Sequence, residues 1–131
     1  MVNLSNWFLR LAVLYLIAGV GLGLYMAASN NHAMFPVHAH LNLLGWVTLA
    51  LFGLFYRLVP AAAGTTLAKL QFWLYVPAHF LQMVLLAMFF AGFAAVEPAL
   101  GAVSMLVGVA IVMFAVVVWK HTPALRGEPA A

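Results

Sequence analysis

The chain has 131 residues, 68% of them hydrophobic and only 5% charged, with a net charge of +3. A soluble domain of this size needs far more charge to cover its surface, so the composition excludes a water-soluble globular protein and makes lipid the solvent. The absence of cysteine excludes disulfides, thiolate metal sites, thioether-linked haem and iron–sulfur clusters.

Four apolar stretches come near the roughly 20 residues needed to cross a bilayer core. They are Trp7–Ala27, Pro36–Leu58, Leu70–Ala94 and Pro98–Trp119. Together they predict an all-α integral membrane four-helix bundle, a single domain over residues 1–131. The first stretch is too long for a signal h-region and lacks a small-residue cleavage site, so it is expected as a retained span. All five Lys and Arg residues fall on one side of this topology. Arg10 stands at the start of the first span, Arg57 and Lys69 bracket the second loop, and Lys120 and Arg126 follow the fourth span. The other side has only Glu97 and "SNNHAMFPVHAH". The positive-inside rule then predicts both termini in the cytoplasm and His32, His38 and His40 on the outer face of a bacterial-type inner membrane. The positive charge is thereby explained as a topology signal, and no nucleic-acid partner is needed. Trp7, Tyr56, Trp73, Tyr75 and Trp119 are expected as amphipathic rings at the inner boundary, with Tyr25 at the outer one.

In the first span, Gly19 and Gly23 form a small-xxx-small face that permits close helix approach, either inside the monomer or between copies. The second span opens with "HAMFPVHAHLNLLGW", residues 32–46, and Pro36 suits the first turn of its helix. At helical pitch His38 and His40 point about 200° apart and differ by about 3 Å in height. They cannot chelate one ion together from a regular helix, which uses i and i+3 or i+4. The spacing instead serves two partners on opposite flanks. Ionisable side chains at membrane depth are costly, which favours a functional role over that of polar helix-entry residues. Asn42, at i+4 from His38, is expected on the same face, orienting the imidazole, meeting a cofactor edge or bonding another helix. His32 is either a solvated loop residue or a further contact for the same cofactor.

Residues 59–68, "VPAAAGTTLA", read as a connection. Pro77 is predicted to kink the third span just before His79, whose ring would either ligate or bond Gln82 or a backbone carbonyl. Counting from the basic side sets His79 about 15 Å and His40 about 25 Å from the boundary, a gap of about 10 Å that opposes a shared axial pair. Pro98 starts the fourth span, His121 lies at the inner surface, and the tail "HTPALRGEPAA" is expected to fray.

A neutral imidazole in an apolar, aromatic-rich setting is what haem b requires of a protein. A pair aimed at opposite flanks suits two haems, with irons on the order of 13 Å apart across the helix. "HAHLNLLGWVTLALFGLFYRLVP" resembles the tenth transmembrane helix of haem–copper oxidase subunit I, especially the cytochrome cbb-type and nitric-oxide-reductase branches. "LAKLQFWLYV" is similar to the start of the next helix, so the resemblance covers roughly residues 32–80. It implies His38 as ligand of a high-spin haem and His40 as ligand of a low-spin haem. It departs from the family where copper would sit: no histidines are left for the copper ligands, and a complete oxidase is not expected. A minimal haem-bearing piece is, with one or two haems per chain and a respiratory redox partner. The side bearing the histidines has no Arg or Lys for haem propionates, which leaves Asn30, Asn31, His32 and backbone amides.

Three functions compete. The first is a haem-b protein that transfers electrons or handles O2 or NO. The second is an accessory or assembly subunit of a respiratory oxidase. The third is a copper-binding membrane protein using His32, His38, His40 and the seven methionines, most of which sit at packing positions. Because one His-bearing face must point out of so small a bundle, a homo-oligomer is expected, with haem at or near a subunit interface.

Overall fold

The computed structural model describes residues 3–122; Arg126 and the rest of the tail from 123 onward lie outside them. The fold is all-α, with no strand among the described residues, and four helical spans are long and apolar enough to cross a membrane. The chain is a multi-pass membrane protein. Helix α1 covers Leu4–Ser29. The second span is built of α2 (Phe35–His40), a π-helical segment (Leu41–Val47) and α3 (Thr48–Leu58). A short α4 (Pro60–Ala63) leads into α5 (Thr66–Phe90), and a 3-10 turn (Ala94–Val96) into α6 (Glu97–His121).

Local chemistry sets the ends. Asn3 Oδ1 accepts from the Asn6 N–H at 3.1 Å and caps α1, which Asn30 closes in the left-handed region at φ 52°. Pro36 and Pro98 occupy the first turns of α2 and α6, where a missing N–H costs no helical bond. The third span starts four residues before the predicted Leu70, because Thr65 Oγ1 accepts from Ala68 N–H at 3.2 Å. Of the ten residues of the predicted connection 59–68, seven are helical, Pro60–Ala63 in α4 and 66–68 in α5. Pro77 is carried inside α5, which runs as one element from Thr66 to Phe90.

Helix α1 packs along the second span and α5 along α6. The core lies toward the basic end, where Phe8 meets Phe72 at 4.9 Å and Phe52 meets Phe114 at 4.2 Å between ring centroids. Surrounded by lipid, such rings gain little by leaving their solvent, so close packing holds the helices together. Tyr56 and Tyr75, expected in the aromatic belt, belong to this core instead, at 2% and 0% exposure. Their hydroxyls find partners inside the protein: Tyr56 donates to Gln71 Oε1 and Tyr75 to the Leu44 carbonyl oxygen. Trp7, Trp73, Trp119 and Tyr25 are exposed, as belt residues should be.

The packing of α5 on the second span also changes the expected height of His79. Val37 clusters with Met83 and Leu86, while Tyr75 reaches Leu44. His79 lies midway between Tyr75 and Met83, as His40 and Leu41 lie midway between Val37 and Leu44. The antiparallel register therefore brings His79 close to the level of His40, and the gap of about 10 Å obtained by counting residues is much reduced.

Candidate functional site

The two histidines of the second span are held in different ways. His38 is half-buried, and its Nδ1 lies 2.8 Å from the Gly19 carbonyl oxygen of α1. His40, also half-buried, places Nδ1 2.8 Å from the Pro36 carbonyl oxygen one turn back in its own helix. A carbonyl oxygen only accepts, so in each neutral ring Nδ1 carries the proton and Nε2 keeps its lone pair. That tautomer is the one in which Nε2 can ligate, with the Nδ1 bond fixing the ring's orientation. His121 makes the same bond to Val117 at 2.8 Å, so the anchor on His40 is by itself an ordinary helical habit. The cross-helix anchor on His38 is not.

Gly19 and Gly23 make that anchor possible. A Cβ on Gly23 would stand 2.9 Å from His38 Cε1, and one on Gly19 would stand 2.6 Å from Asn42 Nδ2. The small-xxx-small face is therefore filled by the chain's own His38 and Asn42, which removes it as a contact between copies. Asn42 Nδ2 donates to the His38 carbonyl oxygen at 2.8 Å and lies 3.5 Å from His38 Nδ1, too far for more than contact. The amide thus props the imidazole from below while Gly19 holds its proton.

The π-helical segment begins directly after His40. Thr48 N–H and Oγ1 both donate to the Leu43 carbonyl oxygen, the side chain at 2.8 Å. Tyr75 Oη donates to the Leu44 carbonyl oxygen at 2.9 Å. The wide turn thus exposes a carbonyl that a neighbouring helix can reach, and such turns recur at functional sites. No residue in "LNLLGWV" announces it in the sequence.

His79 is 1% exposed and sits in a polar chain through the apolar core. Its Nδ1 donates to Gln82 Oε1 at 3.0 Å, and Gln82 Nε2 donates to Ser104 Oγ on α6 at 2.9 Å. Its Nε2 is buried without a partner, and the rings of Tyr15 and Tyr75 lie 5.0 and 5.6 Å from its own. The contribution of Ser104 was not legible in the sequence, where a serine among valines reads as a small packing residue. His32 is exposed in the turn between α1 and α2 and joins none of these rings.

The structure therefore brings His38 together with Asn42 and the α1 glycines, and leaves His40 half-buried and anchored on its own helix. Among the described residues no three His, Asp or Glu side chains gather as a metal site. As donors the imidazoles fit an axial position on haem iron: Nδ1 engaged, Nε2 free, and two rings on the partly open surface. Compared with protein-family models, curated proteins and solved structures, the chain finds no match.

Proposed function

We propose that the chain is a haem-b-binding integral membrane protein in which His38 and His40 would hold the haem iron through Nε2. It is read as a minimal relative of the haem-bearing part of haem–copper oxidase subunit I. The observation that carries this reading is the cross-helix anchor of His38 Nδ1 on the Gly19 carbonyl oxygen at 2.8 Å, which leaves Nε2 as a lone-pair donor; His40, anchored on its own helix, has the same tautomer. Bound haem would supply one-electron chemistry and a site for O2 or NO. The protein's part is to fix the imidazoles: Gly19 orients His38, Asn42 supports it, and Pro36 orients His40. His79 has the right tautomer but lies behind Tyr15 and Tyr75, so its role is to tie α5 to α6 through Gln82 and Ser104. His32, Asn30 and Asn31 are the polar groups nearest in sequence for haem propionates.

The distribution of Arg10, Arg57, Lys69 and Lys120 supports cytoplasmic termini in a bacterial-type inner membrane, with the histidines near the outer face. Both ligand flanks are half-buried, which supports a homo-oligomer whose second copy covers them, served by a respiratory redox partner. An absorption spectrum of the purified protein tests the assignment. A Soret band is expected from haem-replete cells. No Soret band and no uptake of added hemin would exclude it and leave the accessory-subunit and copper-binding readings.

A further inference from the structure

The basic end of the bundle, opposite the histidines, carries a cavity of about 910 Å³. Ser5 of α1, Tyr56 and Arg57 of α3, Gly64 of the turn, and Lys69 and Trp73 of α5 are among its walls. Next to it runs a wholly apolar groove of about 320 Å³ between α1 and α5, lined by Trp7, Leu11, Phe72, Trp73 and Val76. Trp73 belongs to both. From Lys69 through Trp73 to Val76, α5 passes from the charged mouth toward the middle of the bundle, and Trp7 and Leu11 follow the same path on α1.

Among the described residues no carboxylate stands at this mouth to neutralise its charge. Glu97, the only acidic side chain among the described residues, stands in the first turn of α6 at the other end. Among the described residues the Arg57 guanidinium makes one side-chain bond, donating to Asn6 Oδ1 at 3.3 Å, and both Arg57 and Lys69 are exposed. A polar, doubly cationic mouth at the end of the spans joined to an apolar groove running inward matches an amphiphile with an anionic head. A water-soluble anion has no use for the groove, and a neutral amphiphile has no use for two cations.

We propose that this end binds one anionic phospholipid, its phosphate met by Arg57 and Lys69 and an acyl chain lying in the α1–α5 groove across Trp73. Basic pockets between transmembrane helices at the membrane surface recognise anionic head groups in this manner. Selectivity comes from the head, because an acyl chain leaves one apolar medium for another and gains only shape complementarity. Each cation near the surface is worth about five-fold in affinity for an anionic lipid.

The test is a titration of the purified full chain in mild detergent, followed by native mass spectrometry. Dioleoyl phosphatidylglycerol and dioleoyl phosphatidylcholine are the probes, and inorganic phosphate the competitor. One phosphatidylglycerol per chain is expected, preferred over phosphatidylcholine by about 30-fold if the two cations act together. Arg57→Gln and Lys69→Gln should each cost about five-fold with helicity unchanged. Trp73→Ala should weaken dioleoyl more than dihexanoyl phosphatidylglycerol. Equal binding of the two lipids, or no loss in either cation variant, would overturn the proposal. Displacement of the lipid by millimolar phosphate would overturn it too, by assigning the cations to a free anion.

Discussion

His38 and Gly19 are joined across helices: the imidazole Nδ1 donates to the Gly19 carbonyl oxygen at 2.8 Å. The ring is thus positioned by α1, while His40 is positioned by its own helix. Two histidines two residues apart on one helix are consequently coupled to different parts of the bundle, and perturbing α1 should reach only one of them.

That coupling makes the first prediction. Gly23→Ala puts a methyl group 2.9 Å from His38 Cε1, so the ring must move or α1 must draw back. A cost of about 1–3 kcal/mol in stability is expected, as for overpacked sites generally. Gly21→Ala, two residues away with nothing within 4 Å, should be neutral or slightly stabilising. Thermal unfolding of both variants in the same detergent checks the contrast. Equal melting temperatures would mean that Gly23 is not the seat of His38.

A second prediction concerns the buried chain from α5 to α6. Gln82→Leu removes the acceptor of His79 Nδ1 and the donor to Ser104 Oγ, leaving His79 with both nitrogens unpaired in an apolar core. A loss of about 1–3 kcal/mol is expected for the stranded polar group. Ser104→Ala should cost less, because Ser104 is half-buried and Gln82 keeps its bond to His79. Unfolding midpoints in denaturant at fixed detergent concentration rank the two variants. The reverse order would place the weight of the network on Ser104.

The four spans were legible because lipid imposes a length and an apolarity that no other constraint imitates. Their details depend on partners that one dimension does not show. Thr65 moved the start of α5 by capping it, and a threonine in a Thr-Thr pair does not reveal which residue caps. Tyr56 and Tyr75 looked like belt residues because an aromatic hydroxyl near a span end suits the interface, yet Gln71 and the Leu44 carbonyl satisfy them internally. The Gly19–Gly23 spacing announced a close approach without saying that His38 and Asn42 make it. The height of His79 was misjudged because counting treats both spans as uniform helices with level ends. The π-helical segment and the register set by Val37 against Met83 and Leu86 break both assumptions.

A third prediction separates the two ligands. His40→Ala is expected to remove a six-coordinate, low-spin haem signal. His38→Ala is expected to affect a high-spin or exchangeable haem that binds CO or NO. The two roles are those that the resemblance to haem–copper oxidase subunit I implies, and the separate Nδ1 anchors on Gly19 and Pro36 make the two rings separable by mutation. Optical and electron paramagnetic resonance spectra of the reduced and oxidised variants read it directly. Identical spectral loss from both substitutions, at one haem per chain, would defeat the two-flank assignment.

The last prediction is that the haem-loaded unit is a homo-oligomer whose haem survives His79→Leu. Near-equal height removes the simplest objection to His40 and His79 sharing one iron within a chain, so a stronger one is needed. Burial supplies it. His79 is 1% exposed, with Tyr15 and Tyr75 rings 5.0 and 5.6 Å from its own and Nδ1 tied to Gln82. Placing a macrocycle against its Nε2 would require both tyrosines to leave and α5 to part from the second span, at the cost of the Tyr75–Leu44 bond. His38 and His40 are half-buried and need no such rearrangement, only a wall to close over them. A second copy related by a twofold axis along the membrane normal brings the same residue to the same height, so two His40 side chains can serve one iron. The contact cannot use Gly19 and Gly23, whose face is already filled. Native mass measurement with and without haem, alongside spectra of His79→Leu, decides the matter. The expected result is a haem-loaded dimer and an unchanged bis-histidine spectrum in the variant. A haem-loaded monomer that loses this spectrum on His79→Leu would move the second ligand to His79 and abolish the shared site.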